Sequence, residues 1–345
     1  MLLVYPYKQV PVYWRRLLME SSLIITAYQL LNLTAATAPD PEVARKLIHD
    51  LDTAMVVSGA PGKGRHALGH GILDQVQQWL SSQHPRQKFS YSQKRVLESP
   101  VIQYPIERPP NLPSFTGFSD HVYNNKGPFV FKVGAVDHWP AFNDHPWSSI
   151  DYLLSIAADR VVPVEIGRSY VDIGWQQRMM RFEDFVEKHL IGSEVGYLAQ
   201  HDLFYQIPRL SNDLIIPDYC FVSPPPTSTY TPPLDVLQNA WLGPVGTITP
   251  LHHDPFHNIL VQVVGRKYIR LYAPDQSEIL YPHDGIMANT SQVDTSCPDL
   301  QRFPRFKEAV YTECVLSPGE MLYIPPKWWH DVRSLEMSFS VSFWF

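Results

Sequence analysis

The chain has 345 residues, of which 45% are hydrophobic and 18% are charged, and its net charge is −6. This composition excludes a disordered protein, and the negative charge argues against broad binding to nucleic acid, which needs a basic surface. The three cysteines have no paired spacing, which excludes a cysteine-based zinc module and favours a reducing compartment.

The N-terminal part is expected to be a small bundle of helices. Apolar residues recur three and four positions apart over residues 14–33. Asp40 followed by Pro41 is typical of a helix start, because proline fits the first helical turn. Glycines within 59–64 interrupt the helical pattern, which resumes over 68–80.

The apolar run at residues 23–31 is too short and too interrupted to span a bilayer, and the N-terminus lacks the pattern of a secretory signal. We therefore expect no membrane association. The predicted location is intracellular, in the nucleus, the cytoplasm or both. We also expect no direct sequence-specific binding to nucleic acid.

A polar, proline-rich segment divides the chain. It covers residues 82–113 and is typical of a linker or of an extended lead-in to a domain. We assign residues 1–85 to the helical region, 86–113 to the linker and 114–345 to a C-terminal domain.

The C-terminal domain begins with mixed elements and continues with strands. Residues 127–134 predict a strand and a turn, and 161–166 and 196–200 predict strands. Residues 147–154 and 182–191 predict helices. Short strands and turns then dominate from Leu234 to the C-terminus. We therefore expect a mainly β domain with helices, preceded by an α-helical region. The proline-rich stretch at 223–233 is most simply an inserted surface loop.

The motif that carries chemistry is His252-His253-Asp254. On an extended strand, side chains two positions apart leave the same face, so His252 and Asp254 converge while His253 points away. This spacing is common by chance. Together with His330, however, it makes a set of two histidines and one carboxylate, which is typical of non-haem Fe(II) oxygenases.

A predicted hairpin follows the motif. Residues 258–264 and 267–272 are two β-rich runs around a glycine-containing dipeptide. A two-residue turn would place Asn258 and Lys267 on the same apolar face. Because burying a lone ammonium is costly, Lys267 there would need an anion or a polar partner. The alternative is a lysine whose ammonium reaches solvent at the end of the strand.

The order His-x-Asp, Asn, Lys and a distant His resembles that of the Jumonji-C oxygenases. Members of that family bind Fe(II) and 2-oxoglutarate in a double-stranded β-helix, also called a cupin jelly roll. The resemblance extends from about Pro100 to the C-terminus. The segments that carry it are residues 162–167, 196–201, 246–252, 261–272, 281–284, 289–294, 316–320 and 338–344.

The resemblance implies Fe(II) as the cofactor, with 2-oxoglutarate and dioxygen as co-substrates. The implied metal ligands are His252, Asp254 and His330. The far carboxylate of 2-oxoglutarate needs a cation, for which Lys267 is the candidate. The residues implied to add hydrogen bonds to 2-oxoglutarate occupy matching motif positions and are Tyr197, Thr249 and Asn258.

The resemblance further implies an enzyme that acts on a protein or peptide substrate. Glu165, Trp175 and Trp241 match positions that line the substrate channel in the family. A carboxylate with indole faces suits a guanidinium, so we expect hydroxylation of arginine side chains. Two alternatives are demethylation of histone methyl-lysine by the same C–H hydroxylation, and a catalytically silent scaffold or binding module.

Overall fold

The protein is described by a computed structural model that covers residues 10–35, 40–86, 96–167, 174–224 and 229–345. The described chain divides into two compact units. The first comprises residues up to 86 together with 153–162 and 179–185, and the second comprises the remainder.

Three long helices form most of the first unit, as the sequence predicted. They are α1 (Val12–Ala35), α2 (Pro41–Ser58) and α3 (Arg65–Gln83). Asp40 caps α2 by accepting a hydrogen bond from the backbone N–H two residues on, and Gly59 ends the helix at φ 70°. No described helix is long and apolar enough to cross a membrane.

The apolar residues that these helices share form the core of the first unit. Its fully buried members include Met19, Leu47, Ile48, Leu51 and Leu73.

Five shorter helices follow: α4 (Phe115–Tyr123), α5 (Ile150–Ala157), α6 (Phe182–Phe185), α7 (Leu203–Gln206) and α8 (Pro208–Ser211). The predicted helix at 182–191 is present as α6 followed by a π-helical turn, Val186–Leu190.

In the described part of the chain, twelve strands form two antiparallel sheets. They are β1 (Phe129–Phe131), β2 (Val161–Ile166), β3 (Gln176–Arg181), β4 (Gly196–His201), β5 (Leu237–Gly243), β6 (Ile248–His253), β7 (Asn258–Val264), β8 (Lys267–Tyr272), β9 (Tyr311–Leu316), β10 (Met321–Ile324), β11 (Trp329–Ser334) and β12 (Ser338–Trp344). One sheet has the order β1-β10-β7-β12-β5-β4-β2-β3, and the other has the order β6-β11-β8-β9.

The main apolar core of the second unit combines residues from both sheets. Leu260 of β7 and Leu322 of β10 come from the larger sheet, and Ile269 of β8 and Leu316 of β9 come from the smaller one. The two inner faces therefore share one core, which confirms the predicted double-stranded β-helix class of fold.

The predicted hairpin between β7 and β8 is wrong. The two strands are consecutive in sequence but belong to different sheets, so they do not pair. Gly265 makes the corner at φ 69°, where a Cβ would lie 2.1 Å from the carbonyl oxygen of Met337. Only glycine fits this corner. Because the chain turns from one sheet to the other, both strands still direct side chains into the shared interior.

Two predicted features lie partly outside the described residues. These are the linker, at residues 87–95, and the inserted loop, at residues 225–228. The domain boundaries inferred from the sequence stay a prediction.

Candidate metal centre and its cavity

Two histidines meet across the pair formed by β6 and β11. His252 lies on β6 directly opposite His330 on β11, and their ring centroids are 4.1 Å apart. Asp254 follows the end of β6, and its Oδ2 lies 3.9 Å from His252 Nε2 and 3.5 Å from His330 Nε2. One ligand atom from each of the three residues lies within 4.8 Å of the others. The three side chains can therefore reach one metal ion.

Backbone carbonyls set the orientation of both imidazoles. His252 Nδ1 lies 2.8 Å from the Pro250 carbonyl oxygen, and His330 Nδ1 lies 3.0 Å from the Trp328 carbonyl oxygen. A carbonyl only accepts hydrogen bonds, so each Nδ1 carries the proton and donates it. The Nε2 atoms, which face Asp254, are left to bind a metal, as is usual for ligating histidines.

The protonation states also suit a divalent cation. Burial, with a smaller contribution from the charge of His330, lowers the pKa of His252 to about 4. Burial by itself would raise the pKa of Asp254, but interactions with the facing His330 and His252 rings outweigh it, so the pKa is lowered. At neutral pH the centre thus offers a neutral imidazole at His252 and a carboxylate at Asp254.

A narrow inner cavity continues from the metal centre. The four residues expected to contact 2-oxoglutarate all line it, namely Tyr197, Thr249, Asn258 and Lys267. The structure thereby brings these residues to the three candidate ligands, although they lie on four different strands.

The inner cavity holds a buried cation. Lys267 is 1% exposed, and its Nζ donates to the Tyr197 hydroxyl over 3.3 Å. Burial lowers the pKa of Lys267 to about 7. Among the described residues, the side-chain carbonyl of buried Asn258 has no hydrogen-bond partner. In the part of the chain that the structure describes, no carboxylate pairs with this ammonium, whose partner is the Tyr197 hydroxyl. Such a buried cation fits a small anionic ligand beside the metal, for example a 2-oxo dicarboxylate.

A wider cavity of about 400 Å³, the outer cavity, adjoins the inner one and shares His252 and Asp254 with it. The three predicted substrate residues, Glu165, Trp175 and Trp241, all line it. Burial raises the pKa of Glu165 to about 7, against the opposing effect of a hydrogen bond with Trp175.

The two tryptophans of the outer cavity differ in how they are held. Trp175 is 37% exposed, whereas Trp241 is partly buried and its Nε1 donates to Ser342 Oγ over 2.9 Å. The indole ring of Trp175 is therefore more open to solvent than that of Trp241.

The sequence did not point to several residues of the cavities. The outer cavity is also lined by Gln200, Met287, Asn289 and Thr290, and the inner cavity by Ser342. Thr290 forms a β-bridge with His252, so the segment around it covers the edge of the metal-bearing strand. A long-range bridge of this kind leaves no periodic signal in the sequence.

Comparison with known proteins gives the same fold. Residues 116–345 match the family model described as a cupin-like domain. Three curated relatives illustrate the similarity, and the chain spans between about half and 71% of their lengths.

Lysine-specific demethylase 8 of Danio rerio is 43% identical over 80% of this chain and 71% of the relative. Lysine-specific demethylase JMJ30 of Arabidopsis thaliana is 47% identical over 67% of this chain and 52% of the relative. Jumonji C domain-containing protein 5 of Drosophila melanogaster is 42% identical over 68% of this chain and 58% of the relative. The chain therefore belongs to the Jumonji-C family of cupin-like proteins, which are 2-oxoglutarate-dependent oxygenases.

Proposed function

We propose that this chain is an Fe(II)- and 2-oxoglutarate-dependent protein hydroxylase that acts on arginine side chains. The observation that carries the substrate assignment is Glu165, whose half-buried carboxyl group lines the outer cavity beside the metal centre. Fe(II), with 2-oxoglutarate and dioxygen, supplies the oxidising power for insertion of oxygen into a C–H bond. The protein's own residues bind and orient the reactants.

His252, Asp254 and His330 would hold the metal on one side. The two imidazoles and the carboxylate would supply three ligands to the metal and would leave it able to bind a 2-oxo acid and dioxygen as well. The hydrogen bonds from both Nδ1 atoms to backbone carbonyls fix the rings before the metal arrives.

Lys267 would bind the far carboxylate of 2-oxoglutarate at the inner end of the cavity. The ammonium lies in a buried environment, where a charge-assisted hydrogen bond is stronger than in water. Asn258, Thr249 and Tyr197 offer further polar atoms in the lining of the same cavity. Together these residues orient the co-substrate so that its 2-oxo acid end faces the metal ligands.

Glu165 would receive the guanidinium of the substrate in the outer cavity. A carboxylate accepts two parallel N–H donors from arginine, and indole rings such as those of Trp175 and Trp241 stack on the guanidinium plane. The arriving cation favours the ionised carboxylate. Since the pKa of Glu165 is about 7 beforehand, binding of arginine should release a proton near neutral pH.

A second candidate is demethylation of methyl-lysine, and the names of two relatives favour it. The oxidation step is the same, because hydroxylation of an N-methyl carbon leads to loss of formaldehyde. A methylammonium is recognised mainly by aromatic faces and makes no bidentate pair with a carboxylate. A half-buried carboxyl group therefore favours arginine over methyl-lysine.

A silent scaffold is the third candidate, and the residues argue against it. A decayed site would be expected to have lost a ligand or the buried cation, yet all of them are present and close together.

We also propose that the enzyme acts inside the cell, in the nucleus or the cytoplasm. The three cysteines are free thiols, which suits a reducing compartment.

The substrate assignment is tested by Glu165→Gln, which keeps the shape of the side chain and removes its charge. A charge-assisted hydrogen bond contributes about 1.5–3 kcal/mol, so kcat/KM for an arginine peptide should fall by about 10- to 100-fold. The affinity for 2-oxoglutarate should not change. Glu194→Gln is the matched control, because that carboxylate is 68% exposed and lies in neither cavity. Wild-type kcat/KM in Glu165→Gln would refute the assignment.

A further inference from the structure

The segment that covers the free edge of β6 also forms part of the rim of the outer cavity. The β-bridge between His252 and Thr290 and the hydrogen bond from the His253 N–H to the Asn289 carbonyl join this segment to the metal-bearing strand. The Asn289 side chain donates in turn to the His253 carbonyl over 3.2 Å. The rim therefore has a fixed position relative to the metal ligand His252.

Two large apolar residues lie at the turn of this segment. Ile286 is fully exposed, and Met287 is 36% exposed and lines the outer cavity. The turn is itself held, because the Thr290 N–H donates to the Met287 carbonyl over 2.8 Å. Gly285 permits the turn with φ 70°.

A fully exposed isoleucine at a surface turn gains nothing from folding, since none of its apolar surface leaves water. Turns are usually made of small polar residues. Here the apolar pair stands next to the cavity that we assign to the substrate side chain. From this position we infer that Ile286 and Met287 bind a large apolar side chain of the substrate peptide, adjacent to the residue that is oxidised.

The geometry of a bound peptide supports a neighbouring residue as the occupant. An extended chain advances about 3.3 Å per residue, and its side chains alternate between two faces. When one side chain enters the outer cavity, the peptide backbone must cross the cavity rim. On the part of the rim formed by Met287, with Ile286 next to it, residues one or two positions away would then lie against this pair. The inferred substrate is therefore a peptide in which the residue to be oxidised has a large apolar neighbour. This inference rests on the proposed protein hydroxylase function.

The test uses the full chain and a set of synthetic peptides with a central arginine. The two positions on each side of the arginine are varied one at a time. For each position, one peptide has leucine there and its matched peptide has serine. Oxidation is measured by mass spectrometry, and binding by fluorescence anisotropy of labelled peptides. At one or two of these four positions, the leucine peptide should have a KM and a dissociation constant about tenfold lower than those of the serine peptide. A tenfold change corresponds to about 1.4 kcal/mol.

Ile286→Ser should remove this preference for leucine, and Ile286→Leu should retain it. Val310→Ser is the matched control, because Val310 is 71% exposed and lines neither cavity. That variant should discriminate between the peptides as the wild type does. Equal KM and equal binding for leucine and serine peptides at every position would overturn the inference.

Failure of the proposed function would look different. If leucine peptides bind more tightly and Ile286→Ser abolishes the difference, the apolar contact stands even where no arginine is oxidised. If arginine is oxidised without any preference for a neighbour, the hydroxylase assignment stands and the apolar contact is refuted.

Discussion

The Lys267 ammonium lies 3.3 Å from the Tyr197 hydroxyl inside the larger of the two units, with almost none of its surface in contact with solvent. A lysine held in this way costs free energy unless a ligand supplies a negative charge. The pair therefore marks the inner end of the cavity as the place for a carboxylate.

Lys267→Ala should weaken binding of 2-oxoglutarate by about one to two orders of magnitude, because a charge-assisted hydrogen bond is lost. Fe(II) binding should change far less, since Lys267 is not among the grouped candidate ligands. Titration of 2-oxoglutarate into the metal-loaded variant measures the effect. An unchanged dissociation constant would show that the ammonium does not contact the co-substrate.

The affinity for 2-oxoglutarate should fall as the pH rises above about 7. The pKa of Lys267 is lowered to about 7 by burial, and only the protonated lysine attracts a dicarboxylate. Above that pH, binding must take up a proton, so the dissociation constant should rise by up to about tenfold per pH unit. Below it the dependence should level off, since the lysine is already charged.

Calorimetry in two buffers with different ionisation enthalpies measures the proton uptake directly. Lys267→Arg is the control, because a guanidinium stays charged throughout this range and the pH dependence due to residue 267 should disappear. A wild-type dissociation constant that stays flat up to about pH 9 would contradict the assignment.

Asp254→Ala should abolish turnover and weaken Fe(II) binding. The substitution removes the carboxylate among the three grouped ligands. The affinity for Fe(II) should therefore fall by more than about 10- to 100-fold, which is the loss typical of removing a residue that is hydrogen-bonded to a metal ligand. The neighbouring His253→Ala is the control, because that imidazole contacts the Trp329 ring outside both cavities. Metal binding that is equal in the two variants would disprove the metal assignment.

In the helical unit, Asp52→Ala should reduce the free energy of unfolding by about 3–5 kcal/mol. Asp52 accepts two hydrogen bonds from the buried Arg160 guanidinium, at 2.8 and 2.9 Å, and one from the Val161 N–H. Asp50→Ala removes a partly exposed carboxylate from the same helix and should cost at most about 1 kcal/mol. Denaturant unfolding, monitored by circular dichroism, measures the free energy of unfolding of both variants. Equal decreases in the two variants would contradict the account.

Gly265→Ala should destabilise the second unit more than Gly246→Ala does. Both glycines have positive φ, so both substitutions carry backbone strain of about 1–2 kcal/mol. Only at Gly265 would the new Cβ also meet a backbone carbonyl, that of Met337, whereas Gly246 has open space. Thermal unfolding of the two variants separates the effects. A Gly265→Ala variant no less stable than Gly246→Ala would contradict the proposed role of this corner.

The parts of the site that follow from local spacing could be predicted from the sequence. The two-residue interval predicts that the side chains of His252 and Asp254 converge. They do so, although Asp254 lies just past the end of β6. The shared face of Asn258 and Lys267, by contrast, is inferred through a two-residue hairpin turn. The two side chains do line one cavity, but the chain reaches it by a corner between two sheets.

The parts that depend on long-range pairing could not be predicted. Residues 265–266 form a tight connection in a hairpin and in a corner between sheets alike. The two are distinguished by the strands that pair with β7 and β8, which lie far away in the sequence. The bridge from His252 to Thr290 joins segments 38 residues apart, so nothing local identified residues 285–290 as a cavity wall. The resemblance to a family supplied the order of the ligands but not this rim.

The most direct test of the central claim is the mass of the product. The wild-type protein is incubated with Fe(II), 2-oxoglutarate and matched peptides that contain either arginine or methyl-lysine. We predict that the arginine peptide gains one oxygen atom in step with succinate formation, and that Glu165→Gln largely loses this product. Release of formaldehyde from the methyl-lysine peptide, with no oxidation of arginine, would contradict the account.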